Sequence, residues 1–338
     1  MKNILVTGGL GYIGSHTVVA LQQAGHEVMI IDDLSNTQIS VLDNITKITK
    51  VNPEFHPIDL KNHEAVDRFF SDYKIDGIIH FAAYKAVGES VEKPLMYYRN
   101  NLLGLINILE AMEKYNVDHF IFSSSCTVYG QADQLPIHEQ TPLKRPESPY
   151  GKTKQMGEGI IADFVTAAHK NAVALRYFNP VGSHASALIG ELPNGIPNNL
   201  IPYITQTAAG IRESLGIFGN DYETRDGTAI RDYIDVNDLA DAHVKALTRL
   251  LNKENKNNLE YFNLGSGTGF TVLEMIQAFE EANNLKIPYE IKDRRAGDIQ
   301  EAYADYSLAK QELSWEPKVS LQESMKTAWK FQNKVKDM

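Results

Sequence analysis

Thr7-Gly8-Gly9-Leu10-Gly11-Tyr12-Ile13-Gly14 follows a short β-rich run, Asn3 to Thr7, and opens a helical stretch, Gly14 to Ala24. Glycines in that place let the backbone turn tightly and approach a pyrophosphate, whose charge then faces the amides and the positive end of the helix. Gly9, Gly11 and Gly14 satisfy the spacing G-x-G-x-x-G, and Gly8, Gly11 and Gly14 the related G-x-x-G-x-x-G. A plain strand-to-helix turn with incidental glycines is the alternative, and Asp32 argues against it. Asp32 lies 18 residues past Gly14 at the end of the second apolar run, where a carboxylate accepts both ribose hydroxyls of a dinucleotide. No Arg or Lys occurs among Asp33-Leu34-Ser35-Asn36-Thr37 to meet a 2′-phosphate, so NAD is favoured over NADP. Gly8, Gly11, Tyr12, Ile13, Gly14, Asp32 and Asn36 are therefore candidate cofactor-binding residues.

Beyond this turn, the first half of the chain alternates apolar runs with helical patterns, as a parallel sheet with crossover helices does. The predicted strands are Asn3 to Thr7, Glu27 to Ile31, Glu54 to Ile58, Gly77 to His80, Phe120 to Ser123 and Ala172 to Phe178. The predicted helices include Gly14 to Ala24, His63 to Asp72, Leu102 to Tyr115 and Pro149 to His169. The fold class is α/β, a doubly wound parallel sheet of the NAD-binding Rossmann type. Asp59-Leu60 ends the third strand at the height of an adenine, and Phe81-Ala82-Ala83 ends the fourth, so Asp59, Leu60, Phe81 and Ala82 join the cofactor candidates. After Phe178 turns become frequent and the alternation is lost. Residues 179–338 are expected to form a smaller C-terminal α/β substrate domain beside a cofactor domain of residues 1–178. Tyr233 to Leu250 and Glu260 to Leu264 read as helix and strand that could return to the first sheet.

Composition narrows the function classes. A chain of 338 residues that is 43% hydrophobic can bury a large core. Its formal net charge of -10 argues against capture of nucleic acid or of an anionic membrane surface. An anionic ligand must then be met by a local arginine cluster. A single cysteine, Cys126, forms no internal disulfide, and no apolar run approaches a membrane span. The expected location is the cytoplasm, and no metal ligand set is assigned.

The chemistry is carried by Ser148-Pro149-Tyr150-Gly151-Lys152-Thr153-Lys154. Ser148 can cap a helix with Pro149 in its first turn, which leaves Tyr150 and Lys154 as i and i+4 on one face. Free tyrosine titrates near pH 10, so base chemistry at neutrality needs a perturbation that a lysine charge and a helix N-terminus would supply. A third hydroxyl stands in Phe122-Ser123-Ser124-Ser125-Cys126-Thr127 at the end of the fifth strand. Strand carboxyl ends face the ligand crevice of such sheets, which places Ser125 to hold a reacting oxygen.

These residues resemble the extended short-chain dehydrogenase/reductase superfamily and, within it, the UDP-glucose 4-epimerases. The resemblance covers nearly the whole chain. It rests on Val6 to His16, on His80-Phe81-Ala82-Ala83-Tyr84-Lys85-Ala86-Val87-Gly88-Glu89-Ser90, on the serine strand, on Ser148 to Lys154 and on Arg176-Tyr177-Phe178-Asn179-Pro180-Val181-Gly182. It implies that Tyr150 removes the C4 hydroxyl proton of a UDP-sugar while the C4 hydride passes to NAD. Lys154 would hold the cofactor ribose and tune Tyr150, and Ser125 would bond the reacting oxygen. It further implies cofactor contacts at Lys85, Asn100 and Tyr177, and UDP contacts at Asn179, Asn199, Leu200, Phe218, Arg231, Arg295 and Asp298. Two guanidiniums offering forked donors to a diphosphate fit a net-negative protein. The relatives also imply a homodimer through the Leu102 to Tyr115 and Pro149 to His169 helices.

Related dehydratases carry a Thr-Asp-Glu triplet after the serine strand, and UDP-glucuronate decarboxylases also carry an acid there. Here the place reads Ser125-Cys126-Thr127, without the carboxylate that elimination needs. A non-catalytic NAD-sensing regulator on the same fold stays open as a further alternative, although it would have no use for Tyr150 and Lys154 together. By the same resemblance, the residue four after Asp298 borders the sugar C2 group. That residue is Ala302, whose small side chain leaves room for N-acetylated UDP-hexosamines, with Tyr303 adjacent.

Overall fold

The computed structural model describes residues 1–295 and 298–336. In chain order it runs β1 (Asn3–Thr7), α1 (Tyr12–Gln23), β2 (Glu27–Ile31), α2 (Ser40–Thr49), β3 (Glu54–His56), α3 (His63–Asp72) and β4 (Gly77–His80). There follow α4 (Val87–Glu92), α5 (Pro94–Lys114), β5 (His119–Ser123), α6 (Pro149–Ala168), β6 (Asn171–Tyr177) and β7 (Asn179–Val181). The remainder comprises α7 (Leu200–Ala208), β8 (Leu215–Phe218), β9 (Ile230–Asp235), α8 (Val236–Leu251), β10 (Leu259–Leu264), β11 (Gly269–Thr271), α9 (Val272–Asn283), β12 (Tyr289–Lys292), β13 (Glu301–Ala302), α10 (Ser307–Leu313) and α11 (Leu321–Lys336).

Seven parallel strands form the central sheet in the order β10-β6-β5-β4-β1-β2-β3. Both faces are buried: Ile4 and Val6 of β1 belong to one apolar cluster and the intervening Leu5 to the other. That alternation, with helices on each side, explains why the strands read as nearly unbroken apolar runs. Strand order reverses between β1 and β4, so the crevice beyond their carboxyl ends is where a doubly wound sheet takes its ligand. A smaller sheet, β11-β9-β13 with β7 beside β9, stands next to that crevice. Asn179 of β7 pairs with Tyr233 of β9 immediately after β6 ends.

Several expected boundaries move. Tyr233 to Leu250 is not one helix: its first three residues complete β9, and the helix starts at Val236 because the Asp235 carboxylate accepts the Asn237 amide at 2.8 Å as a cap. The third strand stops at His56, since Pro57 has no N–H to donate. The fifth helix begins at Pro94, eight residues earlier than Leu102, with proline in its first turn. Among the described residues, no helix is long and apolar enough to cross a membrane, and no group of three or more His, Cys, Asp or Glu could hold a metal ion.

Candidate active site

A groove of about 1230 Å³ opens over the carboxyl ends of β1, β2, β4, β5 and β6. A single ligand of ordinary size needs roughly 300–1,000 Å³, so this groove has room for a dinucleotide and a second molecule. Its floor at one end is the glycine turn. Gly8 adopts φ +69°, the left-handed region, and a Cβ there would lie 2.8 Å from the Ala82 nitrogen. A Cβ on Gly14 would lie 2.2 Å from the Gly8 carbonyl oxygen. Side chains at either position would fill the cradle, and only glycine keeps backbone amides open to a phosphate.

Asp32 closes this end of the groove. Its two carboxylate oxygens accept the Leu10 amide at 3.2 Å and the Leu34 amide at 3.0 Å. Burial raises its pKa while those two amides act in the opposite direction. Tyr12, Ile13, Asn36, Asp59, Leu60, Phe81, Ala82, Lys85 and Asn100 line the same groove. The residues present thus fit a dinucleotide: open amides for phosphates, a fixed carboxylate for a ribose and apolar strand ends for a base.

The catalytic candidates meet at the other end. Ser148 caps α6 by accepting the Gly151 amide at 3.1 Å, which starts the helix so that Tyr150 and Lys154 share one face. Ser125 lies near enough to the Tyr150 phenol to favour its phenolate, and its hydroxyl accepts from the Thr127 amide at 3.3 Å and the Thr127 hydroxyl at 3.0 Å. Lys154 Nζ donates to the Ser123 carbonyl at 2.6 Å and lies 5.9 Å from the Tyr150 ring centre. Tyr177, also in the groove, shares a short hydrogen bond with the Ser123 hydroxyl. The electrostatics correct the expectation of a depressed tyrosine. Burial raises Tyr150 to about 12, against a smaller lowering by Ser125, and lowers Lys154 to about 7. A dry pocket penalises phenolate and ammonium alike, and at Tyr150 only Ser125 works against that penalty.

The expected UDP contacts divide into two groups. Asn179, Asn199 and Leu200 line the groove, whereas Phe218, Arg231, Arg295, Asp298 and Ala302 are not on its surface. Arg231 forms an ion pair with Asp298 and also donates to the Ile299 carbonyl at 2.6 Å. The Arg295 guanidinium lies 4.3 Å over the Phe218 ring. The Arg231 charge is close enough to be felt at Cys126 and Tyr233, both of which line the groove. Ala302 pairs with Arg231 in register and is buried in the apolar cluster that includes Phe178, with Cys126 packed against that cluster. Tyr303 points the opposite way, its ring 3.2 Å from where a Cβ on Gly269 would be. Position 302, and not 303, is thus the one buried in the cluster that includes Phe178 and Cys126, two residues that line the groove.

One groove residue has no sequence signal. Glu191 Oε1 accepts from Lys85 Nζ at 2.8 Å and from Asn199 Nδ2 at 2.6 Å, spanning the groove between two candidate ligand contacts. Glu191 lies in a loop only 8 residues before Asn199 but 106 residues after Lys85, and no spacing pattern marks it as their bridge. Glu158 does carry a signal outside the motifs quoted above, since it lies four residues after Lys154 and so continues the same helix face.

The family model described as GDP-mannose 4,6 dehydratase matches residues 5–328, a match at the level of the superfamily. The UDP-glucose 4-epimerase of Bacillus subtilis (strain 168) is 51% identical over 331 residues, spanning 98% of this chain and 96% of that protein. A UDP-glucose-4-epimerase structure from Stenotrophomonas maltophila, with bound NAD and formylated UDP-arabinopyranose, is 45% identical with a TM-score of 0.96, covering 100% of this chain and 99% of that one. A UDP-glucose 4-epimerase from Bifidobacterium longum, in complex with NAD+ and UDP, is 42% identical with a TM-score of 0.95 and 99% coverage of both chains. With this identity sustained over almost its entire length, the chain belongs to the UDP-glucose 4-epimerase family.

Proposed function

We propose that this chain interconverts UDP-glucose and UDP-galactose by oxidising and re-reducing C4 of the sugar. The observation that carries the reading is the meeting of Tyr150, Lys154 and Ser125 at the floor of a groove whose far end is a glycine cradle with Asp32. NAD, when bound, supplies the hydride acceptor and donor and a positive charge that favours the phenolate. Gly8, Gly11, Gly14, Asp32, Lys85 and Asn100 would hold it, with Lys154 at its ribose. Tyr150 takes the C4 hydroxyl proton and later returns it, and Ser125 fixes the C4 oxygen by hydrogen bonding. Asn179, Asn199 and Leu200 hold the nucleotide sugar, and Arg231 and Arg295 meet its diphosphate after Arg231 releases Asp298.

Incubation of the purified protein with UDP-galactose, without added NAD, tests this directly. UDP-glucose is the expected product. Elimination or decarboxylation products, or no conversion, would overturn the reading in favour of a dehydratase, a decarboxylase or a sensor.

The range is proposed to extend to UDP-N-acetylglucosamine and UDP-N-acetylgalactosamine. Support comes from the burial of the small Ala302 side chain in the apolar cluster that includes Phe178 and Cys126, which themselves line the groove. Ala302→Tyr adds a ring on that side, and it is expected to lower kcat/KM on UDP-N-acetylglucosamine about tenfold while UDP-glucose changes little. Tenfold corresponds to about 1.4 kcal/mol of transition-state discrimination, within what pocket volume usually decides. Equal loss on both substrates, accompanied by a drop in Tm, would instead report overpacking.

We also place the reaction in the cytoplasm and in a homodimer. Leu103 and Ile106 on α5 and Met156 on the adjoining α6 are exposed and would be covered by a second copy. The two-unit division, residues 1–178 with returns near 233–264 for NAD and the rest of 179–338 for the UDP-sugar, is part of the same proposal. Sedimentation of the purified protein at twice the chain mass is the expected result for the dimer.

A further inference from the structure

Beneath the catalytic residues lies a buried charge cluster that the proposed reaction does not use. Glu158 and Arg176 are each about 3% exposed. Arg176 donates to both Glu158 oxygens, from Nε at 2.8 Å and from Nη2 at 2.7 Å. Glu158 Oε1 also accepts the Ser124 hydroxyl at 2.5 Å, and Ser124 is fully buried. Arg176 continues through Nη1 to the Tyr129 hydroxyl at 3.0 Å, which donates to Asn263 at 2.7 Å.

A buried ion pair of this kind is weak evidence for stability, because packed apolar residues of equal volume often serve as well or better. Its position is more informative. Glu158 is one helical turn beyond Lys154, itself one turn beyond Tyr150, so the three share a face of α6. The strand end opposite is fastened serine by serine: Ser123 to Tyr177, Ser124 to Glu158 and Ser125 to Thr127. Ser124 is the one whose partner is anchored in both α6 and β6. Glu158 is also the charge that opposes the desolvation of Lys154.

We propose that Glu158 and Arg176 act as positioning residues, holding Ser124 so that the adjacent Ser125 hydroxyl keeps its place beside the Tyr150 phenol. The inference rests on the catalytic reading of Ser125, Tyr150 and Lys154. Truncating Glu158 or Arg176 would strand its buried partner charge and could unfold the protein. Ser124 offers the cleaner probe, because removing its hydroxyl leaves Glu158 paired to both Arg176 nitrogens.

The test compares Ser124→Ala with Ser124→Thr, which keeps the hydroxyl, in holoenzyme labelled at the tyrosine Cζ carbon. The Tyr150 resonance, assigned through Tyr150→Phe, is expected to shift in Ser124→Ala and to return toward its original position in Ser124→Thr. In parallel, kcat for UDP-galactose is expected to fall about tenfold in Ser124→Ala with KM and Tm unchanged, in keeping with the cost of sub-ångström misplacement of reacting groups. An unmoved Tyr150 resonance in Ser124→Ala overturns the positioning role. So does a loss of kcat that Ser124→Thr fails to restore. The resonance reads the geometry without turnover, so failure of the unaltered protein to epimerise would count against the catalytic reading separately.

Discussion

Tyr150→Phe is expected to lower kcat for UDP-galactose by about a hundred- to ten-thousand-fold, the range for removing a positioned acid–base group. That loss equals about 3–5 kcal/mol of transition-state stabilisation. The phenol oxygen is the atom at issue. Its ring packs at the start of α6 and its hydroxyl meets Ser125, and phenylalanine keeps the ring while deleting the oxygen. KM for the sugar nucleotide is expected to change little, because the nucleotide contacts proposed above, at Asn179, Asn199 and Leu200, are other residues of the groove. Burial raises Tyr150 to about 12 in the protein alone, so its work at neutral pH depends on favourable charge arriving with the cofactor. Discontinuous assay of both sugars by anion-exchange separation measures the effect. A residual rate within tenfold of the unaltered protein would mean that another group moves the proton.

Gly14→Ala is expected to weaken NAD retention by about ten- to a hundredfold. The added Cβ would stand 2.2 Å from the Gly8 carbonyl oxygen and 2.9 Å from the Gly9 Cα. Neither neighbour is the flexible end of a side chain, so the turn itself must open. Overpacking of this kind costs about 1–3 kcal/mol, and each 1.4 kcal/mol is about tenfold in affinity. Gly11 provides the internal control: a Cβ there meets only the Gly8 oxygen, at 3.2 Å, and Gly11→Ala should do less harm. Cofactor content of the purified variants, read by absorbance after release, together with calorimetric titration of NAD, gives the comparison. Equal retention in Gly14→Ala and the unaltered protein would remove the cradle from the binding account.

Both experiments address features legible in the amino-acid sequence, and for one physical reason. The glycine turn is a local backbone event between a strand and the helix that follows it. Tyr150 and Lys154 are linked by helical pitch, and Ser125 by the rule that strand carboxyl ends face the crevice. Short-range geometry of this kind is carried by a few consecutive residues. The same locality explains why some boundaries move. Whether Tyr233 to Asp235 continue a helix or pair as β9 depends on Asn179 to Val181, a partner distant in the chain.

Periodicity and short spacings along the chain are enough to specify the parallel α/β sheet, the dinucleotide turn with Asp32, and the trio Ser125, Tyr150 and Lys154. Packing in three dimensions was needed to establish that Ala302 rather than Tyr303 is buried in the cluster that includes Phe178 and Cys126, that Glu191 bridges Lys85 to Asn199, and that Glu158 joins Ser124 to Arg176. It alone also set the sign of the electrostatics at Tyr150. Desolvation depends on everything packed around a group, and strand register on a partner that the local sequence does not name.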